Sequence, residues 1–156
     1  MGFAPMVHPE RIVVIGTRMT DAGESNNLRE AGVRVYEAEY LERHGMRETV
    51  GDAMAYLARN QVRAVHLSVD MDVLDPSLWP GVSTPVPGGI TAGDLIEAAT
   101  MIAGMAPIVS MDIAELTPPE DSGDVTVQAA LNLAEAALSQ SYRAESGGRL
   151  HPTAAA

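Results

Sequence analysis

The sequence predicts an α/β fold: a parallel sheet of about four strands with helices on both faces. Three observations lead there. Short β-branched runs recur along the chain, at Ile12-Val13-Val14-Ile15, Val33-Arg34-Val35-Tyr36, Val65-His66-Leu67-Ser68-Val69 and Ile108-Val109-Ser110-Met111. Amphipathic stretches of helical length separate them. Strands that alternate with helices pair in parallel, joined by right-handed crossovers.

Composition narrows the setting. At 156 residues the chain can build one domain with a core, and 46% hydrophobic residues suit a globular protein. No apolar run approaches the roughly 20 residues of a membrane span, so no membrane partner is expected. The first residues, Met1 to Met6, lack the charged start and apolar stretch of a secretory leader. With no cysteine, disulfides and thiolate metal sites are excluded, and a cytoplasmic chain is expected. The net charge of −11 argues against a nucleic-acid partner. All 10 basic residues are arginine, which reads as coding bias.

The elements follow in order. Residues 1–10 are an irregular lead-in with Pro5 and Pro9. Residues 11–16 form a buried strand closed by Gly16. Asp21 with Glu24 resembles a capping box that opens a short helix through Leu28, which stops at Gly32. Residues 33–36 are the second strand. Tyr40 to His44 is a helical turn, and Gly45 opens a longer helix with Val50, Met54 and Leu57 on one side. Residues 64–70 are the third strand. Thr91 with Asp94 caps a helix from Ala92 to about Ala103. Residues 107–113 are the fourth strand, and a last helix runs over Val125–Leu138. The domain is expected to span 1–140, followed by a flexible tail over 141–156.

The chemistry concentrates after the third strand. Asp70 and Asp72 lie at its carboxyl end, where open α/β sheets place their ligands. Two apart in a strand, they would point to one face. Two converging carboxylates repel unless a cation lies between them, and a hard divalent metal suits oxygen ligands. Read blandly, they are strand-end turn residues, and Asp75-Pro76 is ordinary turn chemistry.

The joint pattern is more specific. Ser68-x-Asp70-x-Asp72-x-x-Asp75-Pro76, a Pro80-Gly81-x-x-Thr84-Pro85 loop and Gly88-Gly89 before a helix resemble the carboxyl-terminal signature of the arginase/agmatinase (ureohydrolase) family. Ile15-Gly16-Thr17-Arg18 is similar to the family's strand ending in Gly-x-Arg, and Asp112-Ile113-Ala114-Glu115 to its last strand. The likeness runs from about Arg11 to Leu138. It implies half of an α/β/α fold and a site with two manganese ions. Asp70 would bridge the two ions and Asp72 would bind one. Asp75 would brace the loop, with Pro76 fixing its turn. Thr84 and Glu115 would face the substrate's guanidinium, since a carboxylate pairs with that planar cation by charge-assisted hydrogen bonds. Gly88 and Gly89 would let the backbone pass close by. The implied reaction is hydrolysis of a guanidino compound by a metal-activated hydroxide, arginine to ornithine and urea, or else agmatine or guanidinobutyrate.

The family's other metal ligands come from a histidine after paired glycines and from Asp-Ala-His-x-Asp, and neither motif occurs here. His8, His44 and His151 read as surface or tail residues. His66 reads as a satisfied core histidine. The chain thus resembles the carboxyl-terminal half of a ureohydrolase, and no catalytic histidine is assigned. The resemblance places the absent strand between the Asp70 strand and the Gly16 strand. Those two should therefore pair directly or be left as open edges. Weak metal binding alone, a complementing amino-terminal half or a homo-oligomer are the matching expectations. Two other readings stay open. One is a non-catalytic or degenerate fragment. The other is a two-metal phosphoesterase, which would want basic residues around the site.

Overall fold

The computed structural model describes residues 6–146. Four strands and four helices alternate: β1 (Val13–Thr17), α1 (Ala22–Ala31), β2 (Arg34–Glu37), α2 (Ala38–Arg59), β3 (Val65–Asp70), α3 (Ala92–Met105), β4 (Ile108–Ala114) and α4 (Val125–Ser146). Local signals set most boundaries. Asp21 accepts the Glu24 N–H at 2.8 Å to open α1, and Gly32 closes it in the left-handed conformation. α2 breaks at Gly45, whose φ of 77° no neighbouring helical residue shares, which separates the expected turn from the longer helix. Thr91 and Asp94 form a reciprocal capping box at the start of α3. α4 continues to Ser146, past the expected end at Leu138, because no glycine or proline intervenes to stop it. The rest of the expected tail, with His151, lies outside the described residues.

Both strand ladders are parallel, as expected, but the strands do not form one sheet. β1 pairs with β2, and β3 pairs with β4, as two separate pairs. No ladder joins β1 to β3, so of the two expected arrangements the structure has the unpaired one. Two cores result. The larger lies where α3 and α4 cover one face of β3 and β4, around Met71, Leu74, Leu133 and Ala137, all fully buried. The smaller gathers Tyr36, Leu41 and Ala53 between α2 and the β1/β2 pair. Ile90 packs against both, and an Arg47–Glu97 ion pair ties α2 to α3.

Alternation along β3 is sharp. Leu67 and Val69 face the larger core, while His66, Ser68 and Asp70 are exposed. Ser110 and Asp112 of β4 stand beside them in register. Here the expectation for His66 is corrected. It is an exposed residue whose Nε2 donates to Asp112 Oδ2 and whose Nδ1 shares a hydrogen bond with Ser110 Oγ, each at 2.8 Å. It has the parity of the uncovered face, so none of the helices among the described residues encloses it. Ser68 Oγ completes the group by donating to Asp112 Oδ1 at 2.8 Å.

Candidate functional site

β3 ends at Asp70, and Met71–Val73 form a single 3-10 turn. Asp70 and Asp72 are therefore not strand neighbours, as simple alternation supposes. The turn brings them together instead. Asp70 Oδ1 accepts the Asp72 N–H at 2.9 Å, which is the cap that starts the turn. Met71, between them, is fully buried and anchors the turn in the core.

The loop that follows returns to this turn. Asp72 accepts the Thr84 N–H at 3.2 and 3.1 Å on its two oxygens. Thr84 thus reaches Asp72 through its backbone, while its side chain is exposed. Asp75 accepts from the Ser77 N–H at 2.9 Å, the Ser77 hydroxyl at 2.6 Å and the Gly88 N–H at 3.1 Å. The Ser77 hydroxyl and then the Ser77 N–H, aided by the Gly88 and Gly89 N–H groups, hold this carboxyl below its usual range. Pro76 is half-buried in the turn after it. Gly89 has a steric reason to be glycine. A Cβ there would fall on the backbone of Leu74 and Asp75, where Ile90 bonds Val73 and Asp75 across the loop. Gly88 carries a φ of 81°, the left-handed region that glycine adopts freely.

The far end of the loop is latched to α4. The Gly81 N–H donates to Thr126 Oγ1 at 3.0 Å, and Asp121 accepts the N–H of Thr126 and of Val127. A Cβ on Gly81 would meet Asp121 Cβ at 2.5 Å, so only glycine admits this approach. Burial pulls the Asp121 carboxyl up, but the Val127 and Thr126 N–H groups outweigh it and hold the group below its usual range.

Glu115 completes the site from β4. Asp70 pairs in register with Ala114, so Glu115 stands one residue beyond it. Its φ of 59° is left-handed, a strained setting for a residue with a Cβ. The Glu115 carbonyl accepts the Ser83 N–H at 3.2 Å, which joins β4 to the loop near Thr84. Asp70 registers this crowding. Burial first, then the nearby Asp72 and Glu115 carboxylates, raise its pKa, although the Asp72 N–H works against them.

An all-oxygen pair of this kind fits a hard divalent cation, which would offset the repulsion on Asp70. The fit is partial. Among the described residues no group of three or more His, Cys, Asp or Glu side chains is arranged to hold a metal ion. Four features of the site lacked a sequence signal: the contacts of Arg18, the Asp121–Thr126–Gly81 latch, the Ser83–Thr117 hydroxyl pair and the His66–Asp112 group. Each depends on contacts between residues more than 30 positions apart.

A parallel α/β chain with paired acids after its third strand defines a class, and comparison with known proteins places the chain within it. A model of the Arginase family matches residues 3–139. The chain belongs to that family. It is 39% identical to an arginase of Bacillus caldovelox over 132 residues, 85% of this chain and 44% of that protein. The structure of an arginase from Bacillus subtilis superposes with a TM-score of 0.81 at 37% identity, over 88% of this chain and 47% of that one. A hypothetical agmatinase from Burkholderia thailandensis gives a TM-score of 0.77 at 26% identity, over 90% of this chain and 42% of that one. The chain thus spans about half the length of the relatives it matches. Among the described residues no helix is long and apolar enough to cross a membrane.

Proposed function

We propose that this chain carries one half of a two-manganese site for hydrolysis of a guanidino compound, arginine foremost, with release of urea. The observation that carries this reading is the pairing of Asp70 and Asp72 by a capped turn, with Glu115 beside them. Asp70 and Asp72 would hold the metal through their carboxylate oxygens. Manganese, when bound, lowers the pKa of a bound water toward neutrality. Glu115 would pair with the guanidinium, and the exposed Thr84 side chain would line the same mouth. Asp75, Gly88 and Gly89 keep the loop closed around that mouth.

A complementing amino-terminal half fits the uncovered face of β3 and β4 and the unpaired edges. Parallel sheets are as a rule covered on both faces. The likeness to a hypothetical agmatinase supports agmatine as the alternative substrate. Urea release with manganese, measured on arginine and on agmatine, tests the reading. The chain alone should be feebly active, and the chain with an added amino-terminal half should be active. Equal rates from both preparations would refute the half-site. No urea from either would refute the chemistry.

A further inference from the structure

Arg18 follows β1 directly, and its guanidinium reaches across to the acid loop. Nη1 donates to the Val73 carbonyl at 2.7 Å, and Nη2 donates to the carbonyls of Asp72 and, at 3.2 Å, Val86. The first two carbonyls belong to the turn that holds Asp72. The third lies in the returning arm of the loop, two residues before Gly88. The approach is close throughout. A Cβ on Gly16 would meet Val73 Cγ2 at 2.8 Å, and Arg18 Nε is buried without a hydrogen-bond partner.

We infer that Arg18 is a positioning residue for the metal-binding acids, tying both arms of the acid loop to the end of β1. Three carbonyl oxygens converging on one point repel one another, and few groups can answer all three. The planar guanidinium offers five donors in a fixed fork, where a lysine ammonium offers a compact charge on a flexible stem. Asp72 is aimed by its contacts with this loop. Its backbone carbonyl is held by Arg18, and its carboxylate by the N–H of Thr84, two residues before Val86. Releasing Arg18 frees the turn and the returning arm together. No ladder bond joins β1 to β3, so this side chain is also what the structure offers in place of strand pairing there.

The inference rests on the manganese reading, and two measurements on the full chain separate them. Amide hydrogen exchange without metal is compared for the wild type, Arg18→Met and Arg18→Lys. Manganese affinity is read by the loss of the free-ion spin-resonance signal. In Arg18→Met, amides over residues 71–88 should exchange roughly tenfold faster, the order of one lost charged hydrogen bond. Those of α3 and α4 should be unchanged. Manganese affinity should fall about 10- to 100-fold, as when outer contacts of metal ligands are removed. Arg18→Lys should lie between, and it carries the comparison if Arg18→Met does not fold. Unchanged loop exchange in both variants overturns the inference, as does faster exchange with unchanged manganese affinity. A wild-type chain that takes up no manganese refutes the manganese reading instead, and Arg18 as the positioning residue of the loop then stands or falls on the exchange result.

Discussion

The two faces of the β3/β4 pair differ as much as any two regions of this molecule. One face, with Leu67, Val69, Met111 and Ile113, is covered by α3 and α4 and belongs to the larger core. The other carries His66, Ser68, Ser110 and Asp112, hydrogen-bonded among themselves and exposed. Both faces come from the same residues of chain, one position apart. The covered face holds this chain together by apolar burial. The bare face adds little stability here, because water competes for each of its hydrogen bonds.

That contrast can be broken in order of size. Leu133→Ala, on the covered side, removes a fully buried side chain and should cost about 2–5 kcal/mol by denaturant unfolding. That is a large share of an ordinary domain's stability. Asp121→Ala removes the cap of α4 and the seat of the loop latch, and should cost about 1–2 kcal/mol. Acid should act through the same group. The folded pKa of Asp121 lies below its unfolded value, so its stabilisation is present above the unfolded pKa and is lost as pH falls through the folded one. Asp75 shifts the same way and adds to that loss. Asp121→Asn should flatten the acid limb of a stability–pH curve, and an unaltered limb would contradict the assignment. His66→Ala, on the bare face, should change stability by no more than about 0.5 kcal/mol in this chain. A cost near that of Leu133→Ala would mean the face is covered in solution.

Much of the fold was legible because its signals are local. Capping pairs at Asp21/Glu24 and Thr91/Asp94, the break at Gly45 and the β-branched runs all act within a few residues. The acid loop was legible as a pattern, and Asp75 with Gly88 and Gly89 closes it through hydrogen bonds and close approach. What was not legible depends on distant contacts. Alternation placed Asp70 and Asp72 on one strand face, but the 3-10 turn capped by Asp70 is what joins them. His66 looked like a core residue because β-rich runs normally are buried on both sides in parallel sheets. Its exposure follows from its place on the face opposite α3 and α4. The split into two strand pairs, and the arginine that spans their ends, likewise depend on how the elements meet in space.

Asp70 stands where the turn, the loop and the end of β4 meet. Its carboxyl is pushed up by burial and by the neighbouring Asp72 and Glu115, so ionising it disfavours the fold as pH rises through its folded pKa. Asp70→Asn should therefore leave the metal-free melting temperature unchanged or higher while removing a proposed metal ligand. The most direct measurement is a manganese titration of the wild-type chain and of Asp70→Asn. The wild type should bind manganese weakly, and Asp70→Asn should abolish that binding. Tight uptake of two manganese ions per chain, or binding that survives Asp70→Asn, would contradict the half-site.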